Sequence, residues 1–325
     1  VSEVSGTATF VMGGVLLTAL VFISRWNYLF FHTLAELFSI AVAWGVFMLV
    51  WNARGFLGSN AMVFLGCAYF FVGAVDLVHT IAYKGMGILP DLVGANVATQ
   101  LWIAARYMES LSLLAFGLLV GTALRLRLGL LLGGYSALLA FLFTAIFVWP
   151  LFPDCYVDGV GLTGFKKGSE YLICAILLGA LAILKRKRHC FSEPVFRLMA
   201  AAIGVTIVGE LAFTFYVNVY GTSNLIGHLA KIVSFYLVYA ALIRTGLTMP
   251  YGVLLQKWRQ SDEHYKQLVD AAPLSIMAFD ADGAVTYVNP YHLRTFGADK
   301  QSAEFFIVIK IHELPGVVRA GVGPQ

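Results

Sequence analysis

Charged residues are scarce in this sequence. Only 12% of its 325 residues are Asp, Glu, Lys or Arg, whereas 59% are hydrophobic and the mean hydropathy is +0.80. An ordinary soluble domain has about 25% charged residues, so this shortage excludes a water-soluble fold for most of the chain. The net charge of +4 is spread over short basic clusters between apolar runs, and no nucleic-acid-binding surface is therefore indicated.

Cysteine is also rare. The four cysteines, Cys67, Cys155, Cys174 and Cys190, form no CxxC pair, so neither a disulfide framework nor a cysteine-based metal site is indicated. The chain begins without methionine, and its first apolar run has no small-residue cleavage site. We therefore expect a trimmed N-terminus and no signal peptide.

Long apolar runs are abundant. A membrane-spanning helix needs about 20 mostly apolar residues. Eight runs meet or approach this length: 8–24, 28–52, 60–83, 97–123, 128–149, 169–184, 195–220 and 225–246. The sixth run is the shortest. The sequence therefore predicts an all-α polytopic membrane protein, with a bundle of eight transmembrane helices over residues 1–249 that contacts the lipid bilayer.

The Lys and Arg residues of the connections predict the orientation of this bundle, because cytoplasmic connections carry more of them. With a cytoplasmic N-terminus, nine of these residues lie on the inner side and four on the outer side, which are Arg25, Lys84, Lys166 and Lys167. We therefore expect both termini in the cytoplasm and the bundle in a bacterial inner membrane. The outer connection 149–170 is rich in Pro and Gly, and is either a lid over the bundle or a solvated connector.

Ionisable side chains occur inside five predicted spans, where each costs about 2.5–3.5 kcal/mol on insertion scales. Together with other polar side chains they recur every three or four residues, which places them on one face of each helix. These polar stripes are His32, Glu36 and Ser39; Asp76, His79 and Tyr83; Thr99, Trp102, Arg106 and Glu109; Thr206, Glu210, Thr214 and Asn218; and Asn224, His228 and Lys231. Their ionisable members lie within about 18 Å of the outer surface. We therefore predict a polar cavity in the outer half of the bundle.

The residues of this layer are the predicted ligand-binding site. They are His32, Glu36, Asp76, His79, Trp102, Arg106, Glu109, Glu210, His228 and Lys231. Acids outnumber bases among them, and buried carboxylates pair, bind a cation or take up a proton. Three occupants stay open: a metal ion held by His32, His79 and His228, a haem bound by two of these histidines, or no cofactor, with a small ligand or protons read directly.

A structural role is the alternative for the same residues. The histidines and acids can form a hydrogen-bonded network that holds the helices together, with no ligand at all. For Arg106 we expect an ion pair with Glu36 or Glu210.

Four stretches carry a family resemblance. They are 27–36 (NYLFFHTLAE), 76–86 (DLVHTIAYKGM), 99–109 (TQLWIAARYME) and 153–171 (PDCYVDGVGLTGFKKGSEY). In this order they resemble the third class of membrane-associated sensor (MASE) domains, over about residues 10–246. The resemblance implies an input module placed ahead of a histidine kinase, a diguanylate cyclase or a phosphodiesterase in bacteria and archaea. It assigns no catalytic residue.

A heptad pattern follows Pro250. Its positions are Leu254, Trp258, Ser261, Tyr265, Leu268 and Ala272. Their alternating spacing of four and three predicts an amphipathic signalling helix over 250–272. This helix either pairs with a second copy in a homodimer or lies alone on its own domain. If it pairs, it couples the eighth span to the rest of the chain.

Residues 264–325 resemble the opening of a PAS domain. We expect a lead helix, a strand over 275–279, a tight turn over 280–283, and a second strand ending at Asn289 and Pro290. Residues 300–325 match the later part of such a domain poorly. We therefore expect a truncated α+β domain that lacks part of its sheet, and an output domain that is missing from this chain.

The function that fits best is a sensory input module, which binds a ligand or cofactor in the bundle and relays a conformational signal to the PAS part. The alternatives are a haem-binding or metal-binding membrane redox protein and a small-solute transporter. Against the transporter stand the apolar inner halves of the spans and the lack of repeated halves. Since no kinase, cyclase or phosphodiesterase motif occurs, we expect no enzymatic activity in this chain and a histidine kinase or diguanylate cyclase as its parent protein.

Overall fold

The computed structural model describes residues 2–55, 57, 59–89, 94–122, 127–214, 221–243, 249–280, 285–296, 308–311 and 318–321. The chain divides into two compact units, Val1–Pro250 and Tyr251–Gln325.

The first unit is mainly helical, and a helix lies at the position of each predicted span. The helices are α1 (Ser2–Trp26), α2 (Tyr28–Ala53), α3 (Asn60–Ile81), α4 (Ala95–Leu119), α5 (Leu128–Phe143), α6 (Gly164–Arg186), α7 (Glu193–Thr214) and α8 (Thr222–Ile243). A π-helical turn (Thr144–Val148) extends α5. A short antiparallel hairpin, β1 (Tyr156–Val157) and β2 (Gly161–Leu162), precedes α6.

Six of these helices are long and apolar enough to cross a membrane: α2, α3, α5 with its π-helical turn, α6, α7 and α8. The chain is therefore an integral membrane protein. In the described part of α1 the apolar stretch is Val11–Trp26, which is shorter than a full span. In α4 polar residues such as Arg106 and Glu109 interrupt the apolar sequence. The sixth predicted span is longer than expected, because α6 begins at Gly164 and has 23 residues.

Six helices form a closed ring. In this ring α2 packs on α3, α3 on α4, α4 on α6, α6 on α7, α7 on α8, and α8 on α2. Outside it, α1 packs on α2 and α8, while α5 packs on α3. These outer helices expose large apolar side chains, such as Phe22 (72% exposed), Trp26 (80%) and Leu130 (70%). Such surfaces fit contact with lipid, and the ring interior is left for polar groups.

Glycine allows two neighbouring pairs of helices to approach closely. A Cβ atom at Gly66 of α3 would lie 2.7 Å from the side chain of Val50 on α2. At Gly227 of α8 it would lie 2.3 Å from the ring of Phe213 on α7. Small residues at helix contacts are typical of membrane proteins, where close van der Waals packing drives helix association.

The second unit contains a four-stranded sheet. Its elements, after α9 (Met249–Ala271), are β3 (Met277–Phe279), β4 (Val285–Val288), α10 (Pro290–Phe296), β5 (Val308–Ile311) and β6 (Val318–Gly321). The strand order is β4-β3-β5-β6, with β3 parallel to β5 and the other neighbours antiparallel. The first two strands lie within the predicted ones, whereas residues 281–284, which include most of the predicted turn, lie outside the described residues.

Asn289 joins the elements around the first two strands. Its buried side chain accepts hydrogen bonds from the backbone N–H groups of Ile276 and His292, both at 3.1 Å. The amide of the same side chain donates to the carbonyl oxygens of Val269 at 3.1 Å and Leu274 at 2.8 Å. One residue thus connects the end of α9, the entry to β3 and the start of α10.

Candidate functional site

The predicted polar stripes meet inside the helix ring. Every stripe residue that the structure describes is buried, and Asn218 lies outside the described residues. The stripes come together because Glu36 lies near the start of α2, Asp76 near the end of α3, and His228 near the start of α8. These ends share one level in a bundle of alternating helix directions.

Five charged side chains form a continuous chain of ion pairs. Lys231 Nζ lies 2.5 Å from Glu36 Oε2 and 3.0 Å from Asp76 Oδ2. Arg106 Nη2 donates to both Asp76 oxygens at 3.0 Å, and its Nη1 pairs with Glu109. Each charge therefore touches charges of opposite sign, which offsets part of the cost of removing it from water. The chain of ion pairs connects α2, α8, α3 and α4.

The partners of Arg106 differ from the expected ones. The predicted ion pair with Glu36 or Glu210 is wrong, since Arg106 pairs with Asp76 and Glu109. Helix order explains the difference: α3 packs directly on α4, and Glu109 lies three residues further along α4 itself. Glu36 lies on α2 beside α8, and it forms its ion pair with Lys231 of α8.

Three histidine rings lie at the Glu36 end of this chain. His228 Nδ1 lies 3.0 Å from Glu36 Oε1, and the ring centroid of His32 lies 4.7 Å from that of His228 and 5.5 Å from that of His79. His79 Nδ1 donates to the carbonyl oxygen of Ala98 at 2.7 Å, since a carbonyl oxygen only accepts. Its Nε2 and both ring nitrogens of His32 are buried without a hydrogen-bond partner among the described residues.

Trp102 lies between the histidines and the ion pairs. Its ring centroid is 5.5 Å from those of both His79 and His228. The guanidinium carbon of Arg106 lies 4.8 Å, and Lys231 Nζ 4.9 Å, from the same ring. An indole face attracts cations, so Trp102 stabilises two buried positive charges in addition to their carboxylate partners.

A cavity of about 30 Å³ lies beside this cluster and is lined by residues of α3, α4, α7 and α8, among them His79, Trp102, Phe213 and His228. A space of this size holds a water molecule or a single ion. Pockets for drug-sized ligands measure about 300–1,000 Å³. Of the predicted occupants, an ion or a very small ligand therefore fits this cavity, and a haem does not.

Metal-ligand atoms converge next to the cavity. One ring nitrogen each of His32 and His228 and a carboxylate oxygen of Glu36 lie within 4.8 Å of one another. Imidazole and carboxylate are suitable ligands for Zn, Cu and Fe. The predicted metal ligands were His32, His79 and His228. In the structure Glu36 takes the place of His79 in this group of three, and the ring of His79 lies 5.5 Å from that of His32. The sequence-based metal site stays a prediction.

A model of the membrane-associated sensor domain MASE3 matches residues 23–250, which is more than half of the chain. The chain belongs to the MASE3 family. A PAS-domain model matches residues 263–319. No match was found among the curated proteins or the solved structures.

The two matches confirm a membrane sensor domain followed by a PAS domain. Both matched domains are sensory, and neither is catalytic. The PAS match continues to residue 319, so the expectation that residues 300–325 match poorly is wrong for most of that stretch. The strands β5 and β6 fall in this stretch and extend the sheet beyond the two predicted strands.

The MASE3 domain contains a second buried charge group that was missed in the sequence. Lys166 Nζ donates to the carbonyl oxygen of Phe213 at 2.7 Å and lies 2.6 Å from Glu170 Oε1, with both charged side chains fully buried. The carboxyl of Glu210, a predicted ligand-binding residue, is hydrogen-bonded to that of the neighbouring Glu170. Lys166 was assigned to the outer connection because it precedes the sixth apolar run. The spacing of four residues between Lys166 and Glu170 was the available signal.

The outer connection of the MASE3 domain is hydrogen-bonded to the start of α4. Asn96 donates to Asp154 Oδ1 at 2.7 Å and accepts from the backbone N–H groups of Cys155 and Tyr156 at 2.8 and 3.0 Å. One turn later, Gln100 donates to two backbone carbonyl oxygens of the same connection. These bonds distinguish the connection from a freely solvated one. In the part of the chain that the structure describes, residues 149–163 do not line the 30 Å³ cavity.

Cys155 lies in this connection and is fully buried. Burial raises the pKa of its thiol to about 12. At neutral pH the side chain is therefore a neutral thiol, which is a poor nucleophile and a poor metal ligand.

Proposed function

We propose that the MASE3 domain is the sensory input of a signal-transduction protein and that its polar layer binds a small ligand or ion. The observation that carries this proposal is the set of unpaired nitrogens on His32 and His79, buried beside a complete chain of ion pairs. A network that only holds helices together normally satisfies its buried polar atoms. The unpaired Nε2 of His79, whose ring lines the cavity, instead supports a binding site. The complete set of ten predicted ligand-binding residues belongs to this proposal.

The relay to the PAS part runs through α8. His228 and Lys231 both lie on α8 and both contact Glu36 on α2. A ligand that changes the contacts of Glu36 therefore acts directly on α8. The chain continues from α8 through residues 244–248 to α9, so a displacement of α8 has a covalent route toward the PAS domain.

We propose in addition that α9 pairs with a second copy of the chain. Its predicted seam contains Trp258 (66% exposed), Tyr265 (49%) and Leu268 (59%). Large apolar side chains at heptad spacing are typical of a parallel helix pair. A homodimer would cover them.

The membrane topology that we propose has all eight helices α1–α8 crossing a bacterial cytoplasmic membrane, with both termini in the cytoplasm. Although α4 is less apolar than the others, its charges are paired inside the ring, so it can cross among other helices. The burial of Lys166 leaves three outer basic residues, Arg25, Lys84 and Lys167, against nine inner ones, which supports this orientation. An output domain, either a histidine kinase or a diguanylate cyclase, would follow the PAS domain in the parent protein.

The test is the response of the protein that carries its output domain. We expect His79→Ala and His228→Ala to abolish the response while the amount of protein in the membrane fraction stays unchanged, because both rings border the cavity. Cys155→Ser is the control and should retain the response, since this neutral thiol lies outside the cavity lining. A wild-type response from both histidine variants would refute the proposal.

A further inference from the structure

We propose that the polar layer of this chain binds one divalent first-row transition-metal ion, with His32, Glu36 and His228 as three ligands and His79 as the fourth. The inference rests on the proposed function, because it names the chemical class of the ligand for the same site. Four independent features of the described residues support it: an unpaired imidazole, a second imidazole in a suitable tautomer, a positioned carboxylate and a charge imbalance.

The first feature is His32. Its ring is fully buried and stacks on Tyr83 at a centroid distance of 3.6 Å. Stacking fixes the plane of the ring but uses neither of its nitrogens, which have no hydrogen-bond partner among the described residues. Leaving a buried polar group unpaired costs about 1–3 kcal/mol. A metal ion would use one of the two nitrogens as a ligand.

The second feature is the tautomer of His79. Because Nδ1 donates to the carbonyl oxygen of Ala98, the lone pair of the neutral ring lies on Nε2. A backbone carbonyl that accepts from one ring nitrogen is a frequent way to orient a histidine whose other nitrogen binds a metal. The Nε2 atom of His79 is buried and has no hydrogen-bond partner among the described residues.

The third feature is that the two carboxylate oxygens of Glu36 have different partners. Lys231 holds Oε2 at 2.5 Å, whereas Oε1 lies on the side of His228 at 3.0 Å. A carboxylate held in this way can bind a metal through one oxygen while the other keeps its hydrogen bond. Lys231 also contacts Asp76, which balances its charge close to the metal.

The fourth feature is the total buried charge. The buried acids of the first unit are Glu36, Asp76, Glu109, Glu170 and Glu210, and its buried bases are Arg106, Lys166 and Lys231. Glu170 and Glu210 are hydrogen-bonded to each other and therefore share one proton, so with neutral histidines these acids and bases leave a formal charge of −1 among the described residues. Excess charge is costly in the low dielectric of a membrane protein. A cation bound in the polar layer offsets this negative charge.

Metal binding also supplies a displacement that a sensor can use. Ligands at about 2.1 Å from a tetrahedral metal lie about 3.4 Å from one another. The donor atoms of His32, Glu36 and His228 lie within 4.8 Å of one another, so the most distant pair would approach by at most about 1.4 Å. Two of these residues are on α2 and one is on α8. Binding would therefore change the contacts between α2 and α8.

The experiment uses the whole chain in lipid nanodiscs after removal of metals with a chelator. Co²⁺ is the probe, because a site with nitrogen and oxygen ligands gives it a visible absorption band, and Zn²⁺ is the competitor. We expect one Co²⁺ per chain and its displacement by Zn²⁺. His32→Ala should weaken binding by more than about 100-fold, since even residues that only orient the ligands change affinity by about 10–100-fold.

Two further variants make this test specific. Glu36→Gln should also lose the Co²⁺ band. Ser39→Ala is the matched control on the same helix, because its hydroxyl bonds only the backbone oxygen of Ala35, and it should bind like the wild type. Because His32→Ala also removes a buried ring that stacks on Tyr83, His32→Phe, which keeps an aromatic ring in that place, is measured beside it, and loss of binding in both variants reports the ligand itself. Absence of the band in the wild type, or equal binding by His32→Ala, overturns the proposal.

The metal proposal and the proposed function can fail separately. If no metal binds but His79→Ala and His228→Ala still lose the response, the metal inference is wrong and another small ligand occupies the layer. If a metal binds at the site and the response survives in the histidine variants, the metal site stands and the sensory role of the layer is wrong.

Discussion

Lys166, Glu170 and Glu210 show how a few residues decide the charge balance of a buried region. Lys166 is the cation paired with Glu170 in this group, and its Nζ also donates to the backbone of α7. Glu210 adds a second carboxyl beside Glu170, and one of its oxygens has no hydrogen-bond partner among the described residues. The three residues therefore contribute unequally to stability.

We predict opposite outcomes for two substitutions in this group. Lys166→Met should lower the free energy of unfolding by about 3–5 kcal/mol, because it leaves a buried carboxylate without its cation. Glu210→Gln should change it by less than about 1 kcal/mol or stabilise the protein, because glutamine is uncharged and can keep a hydrogen bond to Glu170. Thermal unfolding in nanodiscs measures both. A loss for Glu210→Gln as large as that for Lys166→Met would contradict this account.

The close contact between α7 and α8 depends on the absence of a side chain at Gly227. The ring of Phe213 occupies the space where a Cβ atom would lie. Phe213 also packs on Trp102 at a ring distance of 4.4 Å and on His228 at 5.2 Å. The spacing of these two helices thus determines the position of a cavity-lining ring.

We expect Gly227→Ala to destabilise the bundle by about 1–3 kcal/mol, the usual cost of overpacking, and to weaken ligand binding by moving Phe213. Gly204→Ala on α7 is the matched control, because a Cβ atom there has no neighbour within 4 Å. It should be neutral or slightly stabilising, since alanine favours a helix more than glycine does. Melting temperatures of the two variants check the difference, and equal values would argue against the close contact.

For the whole molecule, the main question is how a membrane sensor transmits a change across its length. The helix ring brings residues from five helices to one layer, and α8 connects this layer to α9 along the chain. A single chain leaves Trp258, Tyr265 and Leu268 of the predicted seam exposed. If two copies pair at this seam, a small shift of α8 would change the register or spacing of the two paired α9 helices. This change would be the signal that the PAS domain receives.

We predict that a cysteine at Leu268 forms an intermolecular disulfide between two copies in membranes. Glu263→Cys is the matched control, because residue 263 is exposed on the opposite side of α9. The native exposed cysteine is first removed by Cys190→Ser, while the other three cysteines are buried. Oxidation followed by non-reducing gel electrophoresis should show a dimer for Leu268→Cys alone. Equal crosslinking at both positions would exclude the proposed seam.

The sequence by itself determined where the helices lie and which face of each is polar. Hydropathy over about 20 residues and the three- and four-residue spacing of polar side chains are local properties, so they identify α2, α3, α7 and α8 without knowledge of the fold. Alternation and turn residues also predicted two of the four strands of the PAS sheet. The MASE3 and PAS domains themselves were indicated by resemblance to known families and not by these local patterns.

Only the tertiary structure decided which polar groups meet. The pairing of Arg106 with Asp76 and Glu109, the burial of Lys166, and the grouping of Glu36 with two histidines depend on which helices are neighbours and how each is rotated. Ion pairs act over a few ångströms and join residues up to 195 positions apart, as in the pair of Lys231 with Glu36. Spacing along one helix determines a face, but the partner of that face is set by packing between helices.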